Sequence, residues 1–128
     1  MKTNLKKFIG TAVLGVALFS HSILAWAGAV SLPEVVVDEV YRVAHGSTAG
    51  ARYSPDDQQY IGCSVDNPFV TCFAKDKAGK YLFCSSTDPR SLAVVKAITD
   101  FSSIDFASDP GTSSCTALIV TNDSTYLR

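Results

Sequence analysis

Short stretches rich in β-branched and aromatic residues recur along the chain, and they predict a protein built mainly from β-strands. Clusters of Asp, Asn, Pro, Gly and Ser separate these stretches, as is typical of turns. A helix is the alternative for the first stretch, because short apolar runs are ambiguous by periodicity. Residues 45–58, which follow it, predict a loop. The predicted strands, in chain order, are residues 34–44, 59–65, 69–75, 80–86, 103–107 and 115–121.

One segment shows a helical spacing of apolar residues instead. Leu, Val, Ile and Phe recur at roughly every third position across residues 92–101, which predicts an apolar stripe along a helix. Thr87 or Asp88 can cap its first turn, and Pro89 suits the first helical position, whose amide has no partner within a helix. The predicted helix covers about residues 88–101. Strands, one helix and further strands in this order predict an α+β domain with a mostly antiparallel sheet of about five strands.

The clearest predicted element is a β-hairpin made of residues 69–75 and 80–86. Its connection, residues 76–79, ends in a glycine, at a position that often requires a positive φ. If these four residues form the whole turn, Cys72 and Cys84 point to opposite faces of the hairpin. That register excludes a disulfide between the two cysteines. It also makes both faces of the hairpin apolar.

The chain carries four cysteines, Cys63, Cys72, Cys84 and Cys115, and four cysteines allow three pairings. The hairpin register favours Cys63–Cys72, across a short turn, and Cys84–Cys115, between the hairpin and the last strand. We expect two disulfides rather than a metal site, because the spacing contains no C-x-x-C pair.

Residues 1–27 have the features of a signal peptide. Three lysines precede an apolar run over residues 8–19, and a small-x-small pattern ends at Ala27. Cleavage is expected between Ala27 and Gly28, and it leaves residues 28–128 as a single small domain. An uncleaved membrane anchor is the alternative. Export places the domain in a secreted or periplasmic, oxidising location, with no membrane span after the signal is removed.

The charge of residues 28–128 differs from that of the whole chain. The leader removes three of the 11 Lys and Arg and none of the 12 Asp and Glu, so 8 basic residues face 12 acidic ones, a net charge of −4. An acidic domain without a basic run argues against binding to nucleic acids and to anionic membranes.

The aromatic side chains are expected to fill the core, because small β-rich domains need large side chains inside. The leader carries Trp26, the only tryptophan, and its loss weakens a lectin interpretation. The rings that remain in residues 28–128 are Tyr41, Tyr53, Tyr60, Tyr81, Tyr126, Phe69, Phe73, Phe83, Phe101 and Phe106.

No residue pattern specifies a catalytic, cofactor-binding or metal-binding site. His45 is the only histidine outside the leader, so a Ser-His-Asp or Cys-His mechanism would have to use it. Asp56 and Asp57 are adjacent, and adjacent carboxylates in a turn are more typical of a cap than of an acid–base pair. Asn122 begins an N-glycosylation pattern, which matters only in a eukaryotic secretory host.

These observations favour a small secreted or periplasmic non-enzymatic binding protein without a cofactor. Its expected partner is another protein or a cell-surface component. A small exported hydrolase that uses His45 and a structural subunit of an extracellular assembly are the alternatives. A hairpin with two apolar faces must cover both. Covering within the chain is favoured, and a homodimer or another docked partner is the alternative.

Overall fold

The computed structural model describes residues 30–126, which form seven strands in two antiparallel sheets and two short helices. The elements are β1 (Val36–Asp38), β2 (Val43–Ser47), α1 (Thr48–Arg52), β3 (Tyr60–Asp66), β4 (Phe69–Lys75), β5 (Tyr81–Ser86), α2 (Pro89–Val95), β6 (Ser102–Ser108), β7 (Cys115–Asn122) and the 3₁₀ turn Ser124–Tyr126. The four-stranded sheet has the order β1-β2-β6-β7, and the three-stranded sheet has the order β3-β4-β5. The predicted α+β class, mostly antiparallel and with two disulfides, is confirmed, although about five strands were expected.

The two sheets share one hydrophobic core. Val37, Ile104 and Phe106 point into it from the four-stranded sheet, each with at most 2% of its surface exposed. Val70 and Leu82 point into it from the three-stranded sheet. Burying an aliphatic or aromatic side chain of this size stabilises a fold by about 1.5–3 kcal/mol. The outer face of each sheet therefore points away from the core and is the surface that remains for function.

Two disulfides reinforce this arrangement. Cys63–Cys72 joins directly paired residues of β3 and β4, with a Cα–Cα distance of 4.0 Å. Cys84–Cys115 joins β5 to β7 and so connects the two sheets, with a Cα–Cα distance of 4.8 Å. Next to this disulfide, the backbone amide of Ser85 donates a hydrogen bond to the carbonyl of Ser113 at 2.9 Å. This bond is a second link between β5 and the segment before β7.

The predicted four-residue turn of the β4–β5 hairpin is wrong by one residue. Lys75 pairs with Tyr81, so the loop has three residues and is closed by Asp76 and Lys80. The Asp76 carboxylate accepts hydrogen bonds from the Ala78 and Lys80 amides, both at 2.9 Å, and these bonds fix the turn. The glycine at its end has a φ of 84°, as predicted, because a three-residue hairpin loop ends in a left-handed residue.

The one-residue shift changes the arrangement of the cysteines. Cys72 lies directly opposite Cys84, so the exclusion of a bond between them by face was wrong. Cys63, Cys72 and Cys84 instead stand in one row across the three strands. Only Cys72 is adjacent to Cys63, so their bond leaves Cys84 to pair with Cys115 from the other sheet.

The single strand predicted for residues 34–44 is a hairpin. β1 ends at Asp38, whose carboxylate accepts hydrogen bonds from the amides of Val40 and Tyr41, both at 2.9 Å. Arg42 then adopts a left-handed φ of 57°, and the chain reverses into β2. The prediction was wrong because Asp38 is the only strong turn former in a stretch that is otherwise rich in β-branched residues.

The loop predicted for residues 45–58 contains the end of β2 and α1. Ser47 caps α1, since its hydroxyl accepts a hydrogen bond from the Gly50 amide at 2.7 Å and donates to the Pro33 carbonyl at 3.3 Å. Five residues are too few to show a helical period, so sequence periodicity did not reveal this helix.

α2 begins as predicted and ends earlier. The Asp88 carboxylate caps it by accepting a first-turn amide at 2.9 Å, and proline follows at the first position. The helix ends at residue 95 instead of 101. The Ile98 amide bonds three residues back at 3.1 Å, and the Thr99 amide donates to the Ser102 hydroxyl at 2.8 Å. These bonds replace the helical pattern.

The predicted leader and its cleavage site between Ala27 and Gly28 lie outside the described residues. Within residues 30–126, no helix is long and apolar enough to cross a membrane. The two disulfides fit an oxidising compartment.

The turn before β7 is organised by Asp109. Its carboxylate accepts hydrogen bonds from the Gly111 amide at 2.9 Å, the Thr112 amide at 2.8 Å and the Thr112 hydroxyl at 3.0 Å. Bonds from Thr112 and Gly111 hold the pKa of Asp109 below its ordinary value of 3.8. A carboxyl whose pKa is lowered by folding stabilises the folded state above its unfolded pKa, and this contribution is lost as the pH falls through the folded pKa.

The Asp109→Asn variant is therefore expected to lose part of the acid dependence of stability. Asparagine retains an acceptor oxygen but does not ionise. Urea unfolding midpoints measured between pH 5 and pH 2 should fall less steeply below the ordinary value of 3.8 in this variant than in the wild type. Asp57→Asn, which changes another exposed carboxylate, is the control. Identical pH profiles for wild type and Asp109→Asn would contradict the role assigned to these bonds.

Candidate functional site

The outer face of the three-stranded sheet carries five aromatic side chains. Four of them are between 39% and 54% exposed, and the fifth, at the centre of the sheet, is half-buried. They share this face because side chains alternate along a strand and these positions are in register across β3, β4 and β5. We call this surface the aromatic face, and its rings are Tyr60, Phe69, Phe73, Tyr81 and Phe83.

The rings of the aromatic face form a connected array. Tyr60 meets Phe73 edge-on at a centroid distance of 6.0 Å, and Tyr81 stacks on Phe83 at 6.0 Å. Tyr60 belongs to β3 and Tyr81 to β5, on either side of β4. The backbones of β3 and β5 are therefore about 10 Å apart. Their ring centroids are only 6.4 Å apart. The two rings therefore lean toward each other across the strand that carries Lys75, which stands between them in register.

Polar groups alternate with the rings on the same face. The hydroxyls of Thr71 and Ser85 lie 3.1 Å apart, in the row that also holds Ser64. Partial burial raises the pKa of the Tyr81 hydroxyl above its ordinary value of 10, and the nearby Tyr60 adds to the rise. That hydroxyl is therefore neutral at physiological pH and can both donate and accept a hydrogen bond.

A cleft of about 360 Å³ opens at one end of the aromatic face. Phe69 forms an apolar wall, and most of the other lining residues carry a hydroxyl or a carboxylate. The Ser86 hydroxyl accepts hydrogen bonds from the Asp88 amide at 3.1 Å and from the Ser91 hydroxyl at 2.9 Å, which fixes this side of the cleft. The polar lining residues are Ser85, Ser86, Thr87, Asp88 and Ser114.

The prediction that the aromatic side chains fill the core is wrong. The structure describes the exposure of nine of the ten rings, all except Tyr126, and among these nine only Phe106 is buried. The space between the sheets is filled by aliphatic residues, alanines and the disulfides. Covering of both hairpin faces within the chain is also wrong, because the aromatic face is exposed. A three-residue turn in place of the predicted four-residue turn would have revealed this face from the sequence, because it puts all the rings of the hairpin on one side and the inward-pointing residues on the other.

His45 lies on the outer face of the four-stranded sheet, directly opposite Asp105. The serines of β2 and β6 on this side of the sheet are engaged elsewhere. Ser47 caps α1, and the Ser103 hydroxyl donates to the Gly46 carbonyl at 3.4 Å. In these two strands His45 thus has a carboxylate neighbour, while both serine hydroxyls have structural roles.

Other candidates from the sequence also have structural roles. The Asp56 carboxylate accepts hydrogen bonds from the Gln58 amide at 3.0 Å and the Gln59 amide at 2.9 Å, which makes it a turn cap, as predicted. The Asn122 amide group donates to the Ala97 carbonyl at 3.0 Å. Across residues 30–126, no three His, Cys, Asp or Glu side chains are grouped as a metal site requires.

The strongest candidate site is therefore the aromatic face together with the cleft beside Phe69. It combines exposed rings, neutral hydroxyls and one lysine on a rigid sheet. The chain matches no protein-family model, no curated protein and no solved structure.

Proposed function

We propose that this protein is a small non-enzymatic binding protein, secreted or periplasmic, whose aromatic face holds a saccharide chain of a cell-surface component. The observation that supports the proposal is the exposure of a connected array of rings that leads into a hydroxyl-lined cleft. The largest contiguous apolar patch on a soluble protein covers roughly 300–600 Å² and is often functional.

The chemistry of the face suits a sugar. A pyranose ring has apolar C–H faces that pack on aromatic rings and a rim of hydroxyls that need hydrogen-bond partners. Tyr60 and Tyr81 supply a ring and a hydroxyl in one side chain. Thr71, Ser85 and the cleft beside Phe69 supply further hydroxyls within the same surface.

The size of the face favours a narrow ligand over a folded protein. Three strands of about seven residues cover roughly 24 Å by 14 Å, or about 340 Å². A stable protein–protein interface buries about 800 Å² on each partner. A saccharide chain that lies along the strands is accommodated by this area, whereas a docked protein would need contacts well beyond it.

The charge of the face favours a neutral saccharide. Lys75 stands between the two tyrosines, and Asp66 stands directly opposite Phe69 on the same face, so the face carries one charge of each sign. Asp88 adds a carboxylate to the cleft. In a domain whose net charge is −4 over residues 28–128, these surroundings do not attract a sugar carboxylate.

Titration calorimetry with short saccharides tests the proposal. Chitohexaose and cellohexaose serve as neutral ligands, and hexagalacturonate serves as the acidic one. We expect a neutral chain to bind best, and the Phe69→Ala and Tyr81→Ala variants to weaken its binding about tenfold each, which corresponds to about 1.4 kcal/mol. Tyr41→Ala, which removes an exposed ring from the turn between β1 and β2, is the matched control and should bind as the wild type does.

Two results would count against this function. One is the absence of binding by all three saccharides at millimolar concentration, and the other is unchanged binding by both ring variants. Recovery of shortened saccharide after incubation, abolished in a His45→Ala variant that still folds, would instead establish the hydrolase alternative.

A further inference from the structure

The four cysteines form a row through the core. Cys63, Cys72 and Cys84 are directly paired in register across β3, β4 and β5, so their side chains share the inner face of the three-stranded sheet. Cys115 extends the row from β7 through its bond to Cys84. The two disulfides join the outer pairs of this row, and the middle pair, Cys72 and Cys84, is not bonded. We call these four residues the cysteine row.

The middle pair of the cysteine row has the backbone separation of a disulfide. The Cα atoms of Cys63 and Cys72 are 4.0 Å apart, which is typical of an antiparallel pair without backbone hydrogen bonds between its two residues. The amide and carbonyl of Cys72 therefore point the other way, toward Cys84, and a hydrogen-bonded pair has a Cα–Cα distance of about 5.5 Å. Disulfides most often span about 5.5–6 Å between Cα atoms. A bond between Cys72 and Cys84 thus fits the register of β4 and β5.

Solvent exposure differs between the middle and the ends of the cysteine row. Cys72 and Cys84 are fully buried, whereas Cys63 and Cys115 are partly exposed. An external thiol therefore reaches a sulfur at an end of the row first. A thiol also ionises more readily at a partly exposed position than in the apolar core, where burial raises its pKa. A molecule with only one disulfide left is therefore most stable with that bond at the buried middle pair and its two thiols at the ends.

We propose that the cysteine row is a redox switch, in which reduction by an external dithiol moves the remaining disulfide to Cys72–Cys84 and releases the thiol of Cys115. A thiolate of the reductant attacks the Cys63 sulfur, forms a mixed disulfide and expels the Cys72 thiolate. The Cys72 thiolate attacks the Cys84 sulfur, forms the new bond and expels the Cys115 thiolate, which takes a proton from water. The second thiol of the reductant then cleaves the mixed disulfide, which leaves Cys63 as a thiol. The protein gains two electrons and two protons, and the reductant leaves as a disulfide.

The exchange changes the connection between the two sheets and the cleft at their junction. Cys84–Cys115 is the disulfide that joins the sheets, and after the exchange the hydrogen bond from the Ser85 amide to the Ser113 carbonyl remains beside it. Cys115 also lines the cleft beside Phe69, so its released thiol lies in that cleft. A partly exposed thiol is open to oxidation and alkylation. The reduced protein thus has a modification site that the oxidised protein lacks.

Limited reduction of the purified wild type tests the switch. The oxidised protein is treated with a substoichiometric amount of dithiothreitol, and its thiols are then trapped with N-ethylmaleimide at low pH. Chymotrypsin cleaves after Phe69, between Cys63 and Cys72, so peptide mapping locates the remaining bond. We expect molecules with one disulfide to contain mainly Cys72–Cys84, with the maleimide on the two end cysteines. One-disulfide molecules that mainly retain either original bond would overturn the proposal.

Two single substitutions test the exchange without a reductant. Cys63→Ser leaves Cys72 without its partner and next to Cys84, so the bond should move to Cys72–Cys84 and the free thiol should map to Cys115. Cys72→Ser is the matched control, because Cys63 is not adjacent to Cys84. The control should keep Cys84–Cys115 and have its free thiol at Cys63. Both free thiols are then at partly exposed positions and should react with maleimide in the folded protein.

The position of the free thiol in the Cys63→Ser variant gives the second decisive result. A free thiol that maps to Cys72, and that reacts with maleimide only after unfolding in urea, would overturn the switch. If this variant does not fold, peptide mapping of the wild type after limited reduction decides the question. Neither result bears on the saccharide proposal, which depends on the other face of the three-stranded sheet.

Discussion

Removal of the Cys84–Cys115 disulfide is expected to lower the free energy of unfolding by about 4 kcal/mol. The bond closes a loop with a sequence separation of 31, compared with 9 for Cys63–Cys72. The chain-entropy model gives about 3.7 kcal/mol for the longer loop and about 2.6 kcal/mol for the shorter one. The longer bond also ties the two sheets together, whereas the shorter one joins two strands of one sheet. Cys72 and Cys84 are both fully buried, so each double substitution also costs packing.

The test compares two double variants by urea unfolding under non-reducing conditions. Cys84→Ala with Cys115→Ala removes the longer bridge, and Cys63→Ala with Cys72→Ala is the matched control that removes the shorter one. We expect the variant without the longer bridge to unfold at the lower urea concentration. Its free energy of unfolding should be lower than that of the control by about 1 kcal/mol or more. Equal midpoints, or the reverse order, would contradict the view that the inter-sheet bridge contributes most.

The Gly50→Ala substitution is expected to destabilise the domain by about 3 kcal/mol. A Cβ at this position would lie 2.3 Å from the Pro33 carbonyl oxygen, 2.6 Å from the Ser47 hydroxyl and 3.0 Å from the Leu32 carbonyl oxygen. Two of these neighbours are backbone atoms, and the hydroxyl is the cap of α1. The sign is informative, because alanine normally stabilises a helix by about 1 kcal/mol relative to glycine.

Gly62→Ala is the matched control on the three-stranded sheet. Its added Cβ would meet the Phe73 ring carbons at 3.8 and 3.9 Å, which is ordinary van der Waals contact. We expect its free energy of unfolding to stay within about 0.5 kcal/mol of the wild type. Urea unfolding of both variants provides the measurement. A Gly50→Ala variant as stable as Gly62→Ala would show that α1 does not pack closely on the Leu32–Pro33 segment.

Local features of the sequence were enough to locate most of the strands and one helix. Residues 59–65, 69–75 and 115–121 were predicted as strands and lie within one residue of β3, β4 and β7. The Asp88 cap and the positive φ of Gly79 were also predicted. These features are readable because β-branched residues, caps and turn glycines act through neighbours in the chain.

The sequence did not predict which side chains of a strand point into the core and which point to solvent. A difference of one residue in the β4–β5 turn reverses which side chains share a face, because side chains alternate with a period of two. The predicted register therefore mixed rings with inward-pointing residues and hid the aromatic face. The β1–β2 turn was missed for a related reason, since the Asp38 side chain and pairing with β6 make it.

The sequence by itself determined the number of cysteines, most strand positions, the acidic balance of residues 28–128 and the signals for turns and caps. The tertiary structure decided which surfaces are left open. A ring on a strand is buried or exposed according to the side on which the second sheet packs, and that choice involves residues far apart in the chain. The aromatic face exists because the two sheets fill their common interior with aliphatic side chains and disulfides, which leaves the rings of the three-stranded sheet outside.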